Sequence, residues 1–246
     1  MRSWQRIQKA IKIFTRPGFI TLLARHGVAA AVEHVEAIRL SEAGTLVDIG
    51  ANKGQFSLVF RAIRPKAAII AFEPLPDAAD TYEDVLGTDP LVKLHRVAIS
   101  DVVGQLEFHI TDRRDSSSLL RPGHGQAAAF GVHAESVAMV PVRRLDEFLA
   151  LDRLPRPVLV KIDVQGAELK VLKGFERLED VDFVYVELSF VELYQGQPLF
   201  HVVAAYLEER GFELAGVFNQ VLTVQFGPTQ ADFFFRQSNR ISDAAV

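Results

Sequence analysis

The segment 45–57 constrains the fold of this chain more than any other part of it. An apolar, β-prone run leads into Gly50 and Gly54, a spacing that turns a strand into a helix. The next apolar run ends at Glu73, with Pro74 directly after it. A turn without bulky side chains lets the backbone approach a ligand, and an acidic residue about 20 positions later accepts hydrogen bonds from ribose hydroxyls. The pattern predicts a nucleoside-binding site at the ends of two neighbouring parallel strands.

The centre of the glycine turn indicates which nucleoside fits. A dinucleotide fingerprint requires G-x-G-x-x-G, whereas Asn52 stands at the middle glycine and Asp48 precedes the turn. A carboxylate there repels a pyrophosphate and favours a cationic ligand such as S-adenosylmethionine, which carries a sulfonium and an ammonium. Three alternatives stay open: a nicotinamide-dependent oxidoreductase, a nucleoside-binding module without catalysis, and a strand–turn–helix whose glycines serve only the turn.

Five sequence blocks occur in order and extend this motif. They are VDIGANKG at 47–54, AFEP at 71–74, VAISD at 97–101, VRRLD at 142–146 and IDVQGAE at 162–168. Together they resemble the FkbM family of S-adenosylmethionine-dependent methyltransferases, over about residues 40 to 220. Gln165 stands where that family usually has Glu, and Arg144 where Thr is common. The resemblance implies a class I methyltransferase fold, the cofactor S-adenosyl-L-methionine, and O-methylation of a sugar or glycan hydroxyl, a polyketide or another small secondary metabolite.

The candidate cofactor-binding residues lie in the glycine turn, at the end of the second strand and in the third block. They are Asp48, Gly50, Asn52, Gly54, Phe56, Ser57, Glu73, Pro74 and Ala98. The resemblance adds Ser117 and Ser118, because similar chains often carry a serine-rich pair at this place. All of these residues are predicted to surround the cofactor.

Asp163 is the candidate catalytic residue, since it closes the fourth parallel strand and is expected to face the crevice. It could hold the acceptor hydroxyl and take its proton, bind the methionine ammonium, or cap the following helix. Glu187, His124 and His133 are tentative substrate contacts, and either histidine could instead be a surface residue. No D-x-x-x-D or H-x-x-x-H pattern accompanies Asp163, so no metal is expected.

Strand-like and helix-like segments alternate along the chain. Strands are predicted near 45–49, 68–72, 91–97, 157–163, 182–188, 212–218 and 232–236, and helices near 54–64, 76–86, 166–178 and 198–210. Near-continuous apolar strands suit a parallel sheet covered on both faces. The predicted fold class is therefore α/β, with a doubly wound, mostly parallel, seven-stranded Rossmann-like sheet. Period-two alternation within 104–143 predicts an antiparallel β insertion, which could form a lid over the ligands.

Composition narrows the expected partners and compartment. The 246 residues are 49% hydrophobic, enough for one full core, and divide into a helical extension at 1–40 and a methyltransferase domain at 41–246. A net charge of −4 provides no general field for nucleic acid, so a small-molecule or glycan acceptor is expected. The absence of cysteine excludes a disulfide framework and agrees with a cytoplasmic location. No apolar run approaches the roughly 18 residues that span a bilayer.

The N-terminus predicts a basic amphipathic helix. Trp4, Ile7, Ile11 and Phe14 recur at helical spacing, and six basic residues precede the first acidic residue, Glu33. Such a helix could lie on an anionic membrane surface, cover the active site, form a homodimer or pack on its own domain. Peripheral membrane contact and a homodimer are therefore expectations that the sequence raises without deciding between them.

Overall fold

A computed structural model describes most of the chain, namely Ile20, Ala24, Arg25 and residues 27–240. The amphipathic helix predicted at the N-terminus lies outside these residues. Within them, strands and helices alternate, and no described helix is long and apolar enough to cross a membrane.

Strands form one large and one small sheet. In chain order the described strands are β1 (Thr45–Ile49), β2 (Ala68–Phe72), β3 (Val92–His95), β4 (Ala98–Ile99), β5 (Gly104–Thr111), β6 (Ala134–Arg143), β7 (Val158–Ile162), β8 (Phe183–Ser189), β9 (Phe212–Thr223) and β10 (Gly227–Gln237). The large sheet has seven strands in the order β3-β2-β1-β7-β8-β10-β9, and β10 runs antiparallel to the other six. The predicted seven-stranded, mostly parallel sheet is confirmed.

The register of the central strands brings the carboxyl ends of three strands to one place. Ile49, the last residue of β1, lies opposite Phe72 of β2 and Ile162 of β7. The residues that follow these strands therefore meet at one edge of the sheet. The strand order reverses between β1 and β7, and such a switch point is where doubly wound sheets bind ligands.

Helices pack on both faces of the large sheet. They are α1 (Val35–Ser41), α2 (Gln55–Ile63), α3 (Pro76–Leu86), α4 (His124–Phe130), α5 (Glu168–Lys173) and α6 (Phe200–Glu208). Alternate strand residues enter two different cores: one contains Leu46 and Leu159 with α1, α2 and α3, the other Val47 and Val160 with α5 and α6. Burial on both faces explains why β1 and β7 are apolar throughout.

The helix predicted at 166–178 is shorter than expected. Gln165 and Gly166 have positive φ values of 57° and 99°, so the chain is still turning where the helix was predicted to begin. At the other end, Gly174 packs so closely on the backbone of Ser100 that a Cβ would lie 2.1 Å from its carbonyl oxygen. Helix α5 therefore begins only at Glu168, and it has six residues, with Gly174 as its C-cap.

The insertion contains the predicted antiparallel pair. Strand β5 pairs antiparallel with β6, and β4 adds a short parallel edge to form a separate three-stranded sheet. The predicted strand alternation is thus confirmed, whereas helix α4, which lies between β5 and β6, was not predicted. Its sequence contains three consecutive alanines but begins with His-Gly and gave no clear periodicity.

The segment before α1 packs against the sheet rather than standing apart from it. Val28, Ala30 and Val32 are buried in the same core as α2. The backbone N–H of Ala31 donates to the carbonyl of Gln55 at 3.1 Å. This packing brings the following 3₁₀ turn, Val32–His34, to the edge of the large sheet where the strand ends meet.

Candidate active site

One pocket of about 400 Å³ occupies this edge of the sheet. Of the residues predicted to form the site, those that line it are Gly50, Asn52, Phe56, Glu73, Pro74, Ala98, Ser117, Asp163 and Glu187. The pocket has two parts with different chemistry. The glycine-turn end is formed by Gly50, Asn52, Glu73, Pro74 and Ala98, and the acidic end by His34, Asp163, Gln165, Glu187 and Asp232.

Glu73 is held in place at the glycine-turn end by two backbone amides. Its side chain is 6% exposed, and its two oxygens accept the backbone amides of Asn52 and Leu75, both at 2.9 Å. Burial raises the pKa of the Glu73 carboxyl to about 7, although the two amide hydrogen bonds act in the opposite direction. The carboxyl is therefore held rigidly between two backbone segments while it faces the pocket.

The turn between β1 and α2 requires its first glycine for two reasons. Gly50 has φ of +78°, a conformation that L side chains rarely adopt. A Cβ at this position would also lie 1.9 Å from the carbonyl oxygen of Asp163. The close approach joins the turn after β1 directly to the end of β7.

Asp48 does not face the pocket, which corrects the prediction that its charge attracts a cationic ligand. The side chain is fully buried: Oδ2 accepts a hydrogen bond from Ser57 Oγ at 2.7 Å, and Oδ1 lies 3.2 Å from Nζ of Lys161. Ser57 in turn accepts a hydrogen bond from the Tyr82 hydroxyl at 3.0 Å. Asp48 and Ser57 therefore stabilise the turn from beneath and do not contact the ligand space.

Lys161 is a pocket residue that the sequence analysis missed. Its Nζ lies 3.2 Å from Asp48, 3.8 Å from Asp163 and donates to the carbonyl of Gly50 at 3.0 Å. Burial opposes the charge, but the two carboxylates raise the pKa of Lys161, so the ammonium persists. A single charged residue within the buried strand VLVKI was the signal that could have identified it.

Gly54 also serves the fold rather than the pocket lining. It forms the N-cap of α2 with φ of +87°, and a Cβ there would meet the ring of Tyr82 at 3.1 Å. A larger residue would therefore be strained and would crowd α3. Gly54 does not line the pocket, so its position does not support the predicted direct contact with the cofactor.

Asp163 follows β7 and faces the pocket, with 37% of its side chain exposed. It does not cap the next helix, because Glu168 Oε1 accepts the backbone amides of Val164 at 3.3 Å and Gly166 at 2.8 Å. Burial raises the pKa of Glu168 to about 7. The structure thus excludes helix capping as the role of Asp163. Two predicted roles remain, and both involve a ligand: contact with the acceptor hydroxyl and contact with the methionine ammonium.

Gln165 joins two carboxyl groups of the acidic end. Its Nε2 donates to Asp163 Oδ1 at 2.7 Å and to Glu187 Oε2 at 3.1 Å. The hydroxyl of Tyr194 lies 2.9 Å from Gln165 Oε1 and 2.8 Å from the carbonyl oxygen of Ser116, and its one hydrogen can go to either acceptor. The Asp163 carboxylate, which only accepts, fixes the direction of the amide. The amide of Gln165 therefore donates to both carboxyl groups. The glutamate that is usual in the family at this position would instead place a third carboxyl group beside them.

Glu187 and Asp232 lie opposite each other on β8 and β10. Burial, together with the charges of Asp163 and Asp232, raises the pKa of Glu187 well above its ordinary value. Burial also acts to raise the pKa of Asp232, but the neighbouring His34 imidazole and the hydrogen bonds from Asn219 and Tyr185 together outweigh it and lower that pKa. The pKa values of the two neighbouring carboxyl groups are therefore shifted in opposite directions, and both oxygens of Glu187 accept amide hydrogen bonds, from Gln165 and Gln230.

The described part of the N-terminal segment contributes His34 to this end. Nδ1 of His34 lies 2.9 Å from the Tyr185 hydroxyl and 3.3 Å from Asp232 Oδ2. The same Asp232 oxygen accepts hydrogen bonds from Tyr185 at 2.9 Å and from Asn219 Nδ2 at 2.7 Å. The ring of His34 packs on Phe56, with 5.2 Å between centroids. Sequence patterns gave no signal for this cluster, since its members come from four distant segments.

The insertion contributes less to the pocket than expected. Ser117 lines it, but Ser118 is buried beside it and donates to the carbonyl of Val164 at 3.2 Å. His124 and His133 are exposed and do not line the pocket, so the structure gives no support to their tentative assignment as substrate contacts, which stays a prediction. Helix α4 instead directs Gln126 toward the pocket wall, where its Nε2 donates to the Tyr194 hydroxyl.

Within residues 27–240 and the three described residues before them, no group of three or more His, Asp or Glu side chains could hold a metal ion. The carboxyl groups of the acidic end contact amides, a hydroxyl and an imidazole instead.

The seven-stranded, mostly parallel sheet covered by helices is the fold of a class I methyltransferase. Residues 48–214, more than half of the chain, match the family model described as the methyltransferase FkbM domain. The chain belongs to the FkbM methyltransferase family, and it is a methyltransferase.

Three relatives show the range of acceptors named for similar proteins. The 2-O-methyltransferase NoeI of Sinorhizobium fredii is 34% identical over 186 residues, 68% of this chain and 76% of NoeI. The hexuronic acid methyltransferase AglP of Haloferax volcanii is 31% identical over 153 residues, 60% of this chain and 56% of AglP. The 31-O-demethyl-FK506 methyltransferase FkbM of Streptomyces tacrolimicus is 26% identical over 202 residues, 71% of this chain and 75% of that protein.

Proposed function

We propose that this chain transfers the methyl group of S-adenosyl-L-methionine to a hydroxyl of a neutral sugar, a glycan or a similarly hydroxylated small molecule. The observation that carries the proposal is the division of one pocket of about 400 Å³ into a glycine-turn end and an acidic end. A volume in this range suits a small-molecule ligand. The names of the relatives support an oxygen acceptor, since two of them name an O-methylated position.

The glycine-turn end fits the nucleoside of the cofactor. Each Glu73 oxygen accepts one backbone amide, and a carboxylate oxygen has a second lone pair that can accept a ribose hydroxyl. Pro74, Ala98 and Phe108 supply an apolar wall next to Glu73, suited to a purine ring. When bound, the cofactor supplies an electrophilic methyl group on a sulfonium. The protein then has to align the acceptor oxygen, exclude water and receive a proton.

The acidic end fits an acceptor with several hydroxyl groups. Asp163 is half-buried and held by Gln165, so its remaining lone pairs can accept a hydrogen bond from a hydroxyl. Glu187 lies beside it and is held by amide hydrogen bonds from Gln165 and Gln230. The role we assign to Asp163 is to hold the reacting hydroxyl, in preference to binding the methionine ammonium.

Charge at this end favours a neutral acceptor over an acidic one. The carboxyl groups of Asp163, Glu187 and Asp232 line it, Glu33 lines the pocket next to His34, and the charge of Lys161 is compensated by Asp48. A carboxylate on the acceptor would face these groups at low dielectric, where like charges repel strongly. We therefore propose that the acceptor differs in charge from the hexuronic acid named for AglP.

A labelled-methyl assay with two matched acceptors tests the proposal. Methyl glucoside and methyl glucuronide differ only in a hydroxymethyl against a carboxylate at C5. We expect transfer of the labelled methyl group to the neutral glycoside, or to a neutral glycan that contains it, at a rate at least about tenfold higher. Preferred methylation of the glucuronide would contradict the charge argument, and transfer to a nitrogen or carbon atom only would contradict the proposed function itself.

A further inference from the structure

The cluster around His34 has no structural need for so many polar groups. Four side chains, His34, Tyr185, Asn219 and Asp232, converge from a 3₁₀ turn and three strands. Tyr185 is 2% exposed and Asp232 is 7% exposed, so their polar atoms are withdrawn from water at a cost. His34 and Asp232 both line the pocket at the acidic end. An apolar wall would form the same surface at lower cost, which points to a use for the imidazole.

The hydrogen bonds fix which ring nitrogen of His34 carries the proton. Asp232 Oδ2 can only accept, so it takes the Tyr185 hydroxyl hydrogen, and the Tyr185 oxygen then accepts from His34 Nδ1. The amide donor Asn219 Nδ2 lies 3.2 Å from Nδ1 but closer to Asp232 Oδ2, at 2.7 Å, and donates to that oxygen. The carboxylate 3.3 Å from Nδ1 favours the same proton position. Nδ1 is therefore the protonated nitrogen, and Nε2 retains a lone pair. Nε2 has no hydrogen-bond partner within the described part of the chain.

We propose that His34 is a catalytic residue whose Nε2 takes the proton of the acceptor hydroxyl during methyl transfer. This proposal rests on the proposed O-methyltransferase function. In the balanced step, the acceptor oxygen bonds to the methyl carbon while the sulfur–methyl bond breaks and leaves its electron pair on sulfur. The hydroxyl proton passes to Nε2, and water later removes it. Asp232 and Tyr185 are positioning residues, because they act only through the imidazole.

The charged surroundings suit an imidazole that becomes a cation. Asp232 faces it from β10, and Tyr185 and Glu187 come from β8. Glu33 precedes it on the same turn, and Lys161 lies behind the ring of Phe56, 5.8 Å from its centroid. The anion nearest to His34 is thus Asp232, which compensates the charge that Nε2 acquires. Imidazole is also the side chain that ordinarily titrates closest to neutral pH, which suits a general base.

Kinetics with the full chain test the proposal, using whichever methyl glycoside is methylated as the acceptor. His34→Gln is expected to lower kcat by about 10²–10⁴-fold, with the Kd for S-adenosylhomocysteine changed by less than about threefold. It should also remove the acidic limb of the pH–rate profile. Asp232→Asn should lower kcat less and move that limb. His201 is exposed on α6 and serves as the matched control, since His201→Gln should leave kcat unchanged.

Nuclear magnetic resonance of the imidazole nitrogens supplies a readout that needs no acceptor. The signal lost in His34→Gln identifies His34, and the Nδ1–H tautomer is expected with S-adenosylhomocysteine bound. Tyr185→Phe and Asp232→Asn should weaken that preference, and they keep the test available if His34→Gln does not fold. An Nε2–H tautomer overturns the proposal, as does a folded His34→Gln with normal kcat. A kcat loss matched by lost S-adenosylhomocysteine affinity also overturns it. If the wild-type chain methylates no hydroxyl, the proposed function fails separately, and the tautomer still decides the role of His34.

Discussion

The two ends of the pocket are built in different ways. The glycine-turn end comes from two short local motifs, and its polar contacts use backbone groups, as in the amides of Asn52 and Leu75 that bind Glu73. The acidic end is assembled from side chains of the turn after β7, of β8, of β10 and of the segment before α1, most of which are far apart in sequence. The first end is therefore tied to the fold itself. The second can change its side chains without changing the sheet, which suits a family whose relatives are named for different acceptors.

From this comparison we predict that a substitution in the glycine turn lowers the free energy of unfolding more than a substitution at the acidic end. In Gly50→Ala the Cβ would lie 1.9 Å from the Asp163 carbonyl oxygen in addition to the strain of φ +78°. We expect a loss of at least about 4 kcal/mol in unfolding free energy, as for other severe core clashes. Gly131→Ala is the control, because Gly131 has φ of +70° but no atom within 4 Å of a Cβ. It should cost only about 1–2 kcal/mol of strain. Equal losses in denaturant unfolding would contradict the role of the close approach.

Beneath the acidic end, Glu168 should make stability depend on pH. Its pKa rises from 4.5 to about 7 in the folded state, so folding retains a proton that the unfolded chain releases above pH 4.5. Its contribution to stability therefore falls as pH rises from 4.5 through 7. Glu168→Gln keeps an acceptor oxygen and cannot ionise, so its stability relative to wild type should rise between pH 5 and pH 8, by on the order of 3 kcal/mol. The exposed Glu107→Gln should show no such trend, and a flat difference for Glu168→Gln would refute the assignment.

Asp163 should affect the acceptor step and not the cofactor. Asp163→Asn keeps the size but loses the charge, so we expect kcat/KM for the acceptor to fall about 10- to 100-fold, the value of one charge-assisted hydrogen bond. The Kd for S-adenosylhomocysteine should stay within about threefold in calorimetry. Since Asp163 does not cap α5, thermal stability should change little. Loss of cofactor affinity in the same proportion would instead assign Asp163 to the methionine ammonium.

Glu73 should show the opposite pattern. Glu73→Ala removes the proposed ribose contact and should weaken S-adenosylhomocysteine binding about tenfold or more. Because the pKa of Glu73 is raised to about 7, wild-type affinity should increase between pH 6 and pH 8 as the carboxylate forms. Glu73→Gln should abolish that increase. Affinity that is unchanged in both variants would place the nucleoside elsewhere.

The sequence predicted the parts of the molecule that depend on local patterns. The seven strands, the switch point and the placement of Gly50 and Glu73 at the pocket follow from apolar runs and glycine spacing. Asp48 was expected to face the ligand because the sequence did not reveal its partner. Lys161 lies 113 positions away, and only the pairing of β1 with β7 brings the two side chains together. The His34 cluster was missed for the same reason. Periodicity reports which face of an element is buried, and it does not report which distant polar groups meet there.

Calorimetry with S-adenosylhomocysteine and NAD⁺ is the most direct test of the central claim, that the glycine-turn end holds the nucleoside of a methyl donor. Both ligands contain an adenosine whose ribose hydroxyls could reach Glu73, but only NAD⁺ requires space and amides for a pyrophosphate. We predict one S-adenosylhomocysteine per chain, lost or weakened in Glu73→Ala, and no comparable binding of NAD⁺. Tighter binding of NAD⁺, or S-adenosylhomocysteine binding that does not respond to Glu73→Ala, would contradict it.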